Sequence, residues 1–251
     1  MQDSLNLIIS EPGGILYVLL PKCGSSSVVS MFLTMAGLDP QDRRVRELAN
    51  AAQGDGRLAR AGLQFRKTDT AGVIAARKAH PAHRLIANVR NPHDRVLSNY
   101  YNKLNRYTKA HAKGIFVYGK FRQLLEGPKA WPLVARGNAH MQSRLSFQQM
   151  LAGLERFGPD FDGHYARQSG LLALDRLQYD RLLRLETLDA DFRIAMAELG
   201  LPGEMLARLK TLPHSNKTAY AGSVDALLTP EARATISRIY ADDFARLGYA
   251  V

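Results

Sequence analysis

Lys22, Gly24, Ser25, Ser26 and Ser27 crowd together between two different hydrophobic patterns. A cation, a glycine that lets the backbone turn closely and three hydroxyls suit an anion such as a phosphate. Arg90 and Ser98, eight residues apart, form a second group: a guanidinium fork and one hydroxyl. His164 stands in the polar stretch Asp160 to Gln168, and histidine is the residue type suited to general-base work near neutral pH. By type alone, the first two groups could hold phosphate, and one of the chain's seven histidines could serve as a base.

The elements around them can be read from periodicity. Ile15 to Leu20 is a short, nearly continuous apolar run, as in a strand buried on both faces, and Pro21 stops it. From about Ser26 the spacing of Val28, Val29, Phe32, Leu33 and Ala36 is helical. A strand, a polar turn and a helix start aim backbone N–H groups and the helix dipole at the turn. The same pattern also fits an ordinary strand–turn–helix with a serine N-cap. It is not a Walker loop, because Lys22 precedes Gly24, and no Gly-x-Gly-x-x-Gly fingerprint occurs.

Leu85 to Val89 reads as a second buried strand with Arg90 at its C-terminal end. Asn91-Pro92 turns the chain into a helix bearing Asp94, Val96, Leu97, Tyr100, Tyr101 and Leu104. If that helix folds back over the strand end, Arg90 and Ser98 reach one phosphate. Alternatively, Arg90 pairs with Asp94 and Ser98 is a spacer.

The chain has 251 residues, 46% hydrophobic, enough for one α/β domain with a sizeable core. A formal net charge of +11 suits a polyanionic ligand, whether a nucleotide, a nucleic acid or an acidic glycan. A single cysteine excludes an internal disulfide or a cysteine-rich zinc site, and no apolar run approaches the roughly 20 residues of a membrane span. The first residues lack a basic, apolar leader pattern, so the expectation is a cytoplasmic protein without a transmembrane segment.

Residues 1–14 read as a lead-in ending in the turn Glu11-Pro-Gly-Gly. Surface helix is expected over 41–61, broken by Gly54 and Gly56, then a short strand at Leu63–Phe65 and a helix capped near Thr68, Asp69 or Thr70. Residues 105–145 form a basic excursion with interleaved aromatics, including Tyr107, Phe116 and Trp131. It could line an acceptor groove, bind nucleic acid or simply be a surface excursion. Ser146 caps a helix to Phe157, Arg181–Leu185 is a strand, Leu188–Leu199 a helix, and Thr229-Pro230-Glu231 a helix start. No repeat, low-complexity tract or clear linker divides the chain.

Pro21-Lys-Cys-Gly-Ser-Ser-Ser27 resembles the 5′-phosphosulfate loop of sulfotransferases that use 3′-phosphoadenosine 5′-phosphosulfate (PAPS). Val89-Arg-Asn-Pro-His-Asp-Arg-Val-Leu-Ser-Asn-Tyr-Tyr-Asn-Lys-Leu104 resembles the 3′-phosphate motif of their carbohydrate branch, and the two motifs lie about 65 to 70 residues apart in the right order. Asp162-Gly-His-Tyr165, Tyr179-Asp180, Leu185-Glu-Thr-Leu-Asp189 with Asp191, and Tyr240 to Phe244 with Gly248-Tyr249 are similar to later landmarks of that family. Tyr165 stands where the family has tryptophan, and the cysteine pair of Golgi-type relatives is missing, which fits a soluble bacterial type.

The resemblance implies a single domain over residues 1–251, a P-loop-like three-layer α/β sandwich with a central parallel sheet flanked by helices. It implies PAPS as donor, adenosine 3′,5′-bisphosphate as product, a hydroxyl acceptor such as a carbohydrate, and neither a metal nor a nucleic-acid partner. Lys22, Cys23, Gly24, Ser25, Ser26, Ser27, Arg90 and Ser98 would bind the nucleotide, and Lys217 and Thr218 would lie in a late loop closing over it. Lys22 would also stabilise the leaving group. His164 is the preferred base, ahead of Asp162 and Asp69, while His93 is badly placed and His80 and His83 flank a strand start. Two other readings stay open: a divergent P-loop-type nucleotide kinase, and a non-enzymatic polyanion- or nucleic-acid-binding protein.

Overall fold

The apolar run after Gly14 is strand β2 (Ile15–Leu19), with every residue buried. Ile15, Tyr17 and Leu19 join one core cluster, while Leu16 and Val18 alternate to the other face and are equally buried. In the computed structural model the described residues are 5–51, 56–101, 124–125, 127, 146–209 and 224–251.

β2 is flanked on one side by β4 (Arg84–Val89), in parallel, and β4 in turn by β5 (Arg181–Arg184), also in parallel. On its other side β2 pairs antiparallel with β1 (Leu5–Ser10), which pairs antiparallel with β3 (Leu63–Thr68). The order is β3-β1-β2-β4-β5. The fold class is α/β as expected, with a mixed sheet whose core is mostly parallel. β1 corrects the reading of residues 1–14 as a lead-in. The Glu11–Gly14 turn, closed by the Gly14 N–H on the Glu11 carbonyl at 3.1 Å, is too short for a crossover, so the strand before it can only be a hairpin partner.

Among the described residues the helices of five residues or more are α1 (Ser25–Met35), α2 (Arg43–Ala51), α3 (Gly56–Arg60), α4 (Thr70–Ala79), α5 (Pro92–Asn99), α6 (Phe147–Phe157), α7 (Leu188–Glu198), α8 (Gly203–Leu209), α9 (Pro230–Ile239) and α10 (Ala241–Leu247). Their starts follow local chemistry. Asp69 caps α4 by accepting the Gly72 N–H at 2.8 Å. Ser146 and Gln149 form a reciprocal capping box on α6, and Thr229 with Pro230 opens α9. Two helices, α2 and α3, occupy the stretch read as surface helix, and Gly56 is the first residue of the second.

The chain divides into two compact units. The sheet unit comprises Gln2–Arg90 and Gln168–Lys217, and the helical unit comprises Asn91–Arg167 and Thr218–Val251. In the sheet unit Tyr17 packs edge-on against Phe32 at 5.4 Å, and Phe32 against Phe192 at 5.8 Å. In the helical unit Val96 and Leu97 of α5 pack with Phe147, Met150 and Leu154 of α6 and with Ile236, Tyr240 and Phe244. Each such buried side chain contributes about 2 kcal/mol by leaving water. No helix among the described residues is long and apolar enough to cross a membrane.

Candidate functional site

The loop from β2 to α1 is shaped by two left-handed residues, Lys22 (φ 68°) and Gly24 (φ 84°). At Lys22 this backbone costs on the order of 1 kcal/mol, a strain that proteins retain chiefly where it serves a site. Gly24 is required twice over. Its φ suits glycine, and a Cβ there would stand 2.4 Å from Leu185 Cδ1. Gly24 is also the N-cap of α1, and it offers no side-chain cap, so the serine N-cap alternative is not realised. The N–H groups of Gly24, Ser25 and Ser26 have no acceptor among the described residues. Ser25 donates its hydroxyl to the Leu20 carbonyl at 2.9 Å, pinning the strand end, while Ser26 is exposed and Ser27 half-buried.

Arg90 follows β4 at the same strand end. Its Nη1 donates to the Lys22 carbonyl at 3.3 Å, so the two loops touch. A third residue ties them. Gln168, fully buried, accepts the Arg90 N–H on Oε1 at 2.9 Å and donates Nε2–H to the Arg90 carbonyl at 2.8 Å. The same Oε1 receives the buried Cys23 thiol at 3.2 Å. Close by, the Asn88 amide is buried in β4, with no hydrogen-bond partner for its nitrogen or its oxygen among the described residues, and its Nδ2 is 3.5 Å from where a Gly24 Cβ would be. An unsatisfied buried amide costs about 1 to 3 kcal/mol and marks a position kept for a purpose other than stability.

The helical unit holds the other candidates. Ser98 lies buried in the second turn of α5, whose start is capped by Asn91 accepting the His93 N–H at 2.9 Å. His164 sits on the turn 162–166. Asp162 Oδ1 is 3.0 Å from both the His164 backbone nitrogen and its Nδ1. A carboxylate only accepts, so Nδ1 carries a proton, and in the neutral ring Nε2 is the basic nitrogen. The backbone beneath is held at four successive carbonyls. Gly163 and Ala166 accept from the fully buried Arg95 at 3.2 and 2.7 Å, His164 accepts from Asn99 Nδ2, and Tyr165 accepts from the Tyr240 hydroxyl at 2.7 Å. Burial pushes the Tyr240 hydroxyl well above its usual titration range, so it stays a donor.

Other predicted groups fall elsewhere. Asp69 is an exposed helix cap. His93 is buried, with Nε2 3.3 Å from both the Arg233 carbonyl and the Ser237 hydroxyl, and burial lowers its pKa. A cavity of about 470 Å3 in the helical unit is lined by Phe157, Asp160, Arg167 and Arg238 among others. Both arginines already pair with carboxylates there, Arg167 with Asp160 and Asp242 and Arg238 with Glu155. Lys217, Thr218 and nearly all of the 105–145 excursion lie outside the described residues.

Five residues were not singled out by sequence reasoning: Gln168, Asn88, Arg95, Asn99 and Tyr240. The last three stand inside stretches that were, yet their side chains hold backbone. Nothing local distinguishes Gln168 or Asn88.

The sequence matches the model of the Sulfotransferase family over residues 5–250. No curated protein and no solved structure matches it. The chain belongs to the sulfotransferase family, and its reaction class is sulfuryl transfer.

Proposed function

We propose that the protein transfers a sulfuryl group from PAPS to a hydroxyl acceptor, with a carbohydrate as the acceptor class. The observation that carries this reading is the direct tie between the Lys22 loop and Arg90, made by the Arg90–Lys22 hydrogen bond and by Gln168. One doubly phosphorylated adenosine needs an anion cradle at each end, and two cradles in separate places could not share it. Unclaimed N–H groups at Gly24, Ser25 and Ser26 and the unsatisfied Asn88 amide fit a phosphosulfate group lying against the loop.

In this reading the whole chain, residues 1–251, works as one sulfotransferase domain. PAPS supplies an activated sulfuryl group. The sulfur–oxygen bond to the phosphate breaks as a bond from sulfur to the acceptor oxygen forms, and adenosine 3′,5′-bisphosphate leaves. Lys22 and the Gly24–Ser27 backbone stabilise the negative charge growing on the departing phosphate oxygen. Cys23, buried and bonded to Gln168, holds the loop's shape. Arg90 and Ser98 read the 3′-phosphate, the guanidinium by a two-point contact. His164 takes the acceptor proton on Nε2, with Asp162 fixing the tautomer. Lys217 and Thr218 cover the nucleotide from the late loop.

Titration calorimetry with adenosine 3′,5′-bisphosphate, ATP and a nucleic-acid oligomer tests the donor. Tight binding of the bisphosphate alone is expected. Preference for ATP would revive the kinase reading, and preference for the oligomer the polyanion-binding one.

A further inference from the structure

Glu11, His80 and His83 bring one carboxylate and two imidazoles together at the start of the central strands, and their ligand atoms all lie within 4.8 Å of one another. β2 begins just after Glu11–Gly14 and β4 just after His83, whereas Lys22 and Arg90 follow the far ends of the same strands. At about 3.3 Å per strand residue, this cluster is separated from the nucleotide loops by roughly the length of the strands.

Two rigid turns carry the three groups. His80 and His83 are the first and last residues of a turn closed by the His83 N–H on the His80 carbonyl at 3.1 Å, with Pro81 between. Arg77 of α4 latches that turn through the carbonyls of His80, Pro81 and His83. Glu11 opens the β1–β2 turn, and its own N–H is held by the Gly62 carbonyl at 3.0 Å. The two turns are joined by the Arg84 N–H on the Gly14 carbonyl at 2.7 Å.

The side chains face one another without completing a hydrogen bond. His80 Nδ1 is 3.8 Å from Glu11 Oε1 and His83 Nε2 is 3.3 Å from Oε2. His83 Nε2 is buried and has no hydrogen-bond partner among the described residues. Two ligands of one tetrahedral zinc ion stand about 3.3 Å apart, so the set closes on an ion with side-chain shifts of about 1.5 Å or less.

The geometry points to a divalent transition-metal site of the zinc class, formed by Glu11, His80 and His83, that clamps the β1–β2 turn to the α4–β4 turn. Two imidazoles and one carboxylate favour zinc or cobalt over magnesium or calcium, and they leave a fourth position for water. The site is independent of sulfuryl transfer.

Zinc chloride titrated calorimetrically into the untagged, chelator-treated full chain is expected to bind at one equivalent. It should raise the melting temperature, and EDTA should reverse the rise. Cobalt(II) in its place should give the intense visible bands of a four-coordinate ion. Glu11→Gln, on an exposed turn, and His80→Asn should each weaken zinc binding by roughly tenfold or more and abolish the rise in melting temperature. Failure of the wild-type chain to bind zinc, or undiminished binding in both variants, would overturn the proposal.

Discussion

Gln168 and Arg90 exchange two hydrogen bonds, the side-chain amide of one lying against the backbone of the other at 2.9 and 2.8 Å. The amide acts as one more strand residue at the end of β4. Because its oxygen also takes the Cys23 thiol, a single side chain fixes Arg90 relative to the loop that carries Lys22.

Gln168→Leu keeps the volume and removes every one of these bonds. Loss of the two bonds to the Arg90 backbone and of the one to Cys23 should lower stability by about 2 kcal/mol or more in urea denaturation. Affinity for adenosine 3′,5′-bisphosphate should fall as well. A variant equal to wild type in both measurements would strip Gln168 of this role.

Lys22→Ala should reduce kcat by roughly a hundredfold or more if, as proposed, its charge stabilises the leaving group. Circular dichroism and melting temperature should stay near wild type, because the Lys22 side chain is not a core element. Undiminished turnover would take Lys22 out of the chemistry.

Arg90→Ala should weaken binding of adenosine 3′,5′-bisphosphate by about tenfold or more, the worth of a charge-assisted contact. Binding of adenosine 5′-monophosphate, which lacks the 3′-phosphate, should change much less. Equal losses for the two nucleotides would mean that Arg90 does not read the 3′ group.

His164→Ala should lower kcat by roughly a hundredfold, and Asp162→Asn by less, with the nucleotide Kd unchanged in both. The asparagine can donate to Nδ1 and so favours the tautomer with Nε2 protonated, which is useless as a base. Unchanged kcat in the His164 variant would assign the proton to another group.

His93 gives the fold a dependence on acid. Burial holds its folded-state pKa below the ordinary value, while the unfolded chain takes up a proton at about 6.5. The unfolded state binds more protons as pH drops through that window, so stability is present above it and is lost below. The melting temperature should fall between about pH 7.5 and about pH 5.5, and His93→Gln should fall less. Parallel curves for the two proteins would contradict this.

The β2–loop–α1 stretch was legible because its apolar run and its helical spacing switch within a few residues, and the switch is the loop. Helix starts at Ser146 and Thr229 were legible from single cap residues, and that of α4 to within Thr68, Asp69 and Thr70. β1 was not, because a strand next to a tight turn reads as a lead-in until its partners are known. Arg95 shows the limit most clearly. It shares a stretch with Arg90, but it is fully buried and spends its donors on Gly163 and Ala166, so the difference lies in a turn far along the chain. Gln168 escaped for the same reason, since its partners are Arg90 and Cys23.

The chain leaves the sheet unit after Arg90 and re-enters it at Gln168, so β5, from Arg181, joins β4 late. On the ribosome, β4 emerges with Leu85, Ile86, Ala87 and Val89 along an edge that has nothing to pair with until the whole of Asn91–Arg167 has been made. A nascent chain in that state is open to strand exchange with its neighbours. Fragments cut before Arg181 will inherit the same bare edge permanently and will aggregate, whatever else they retain.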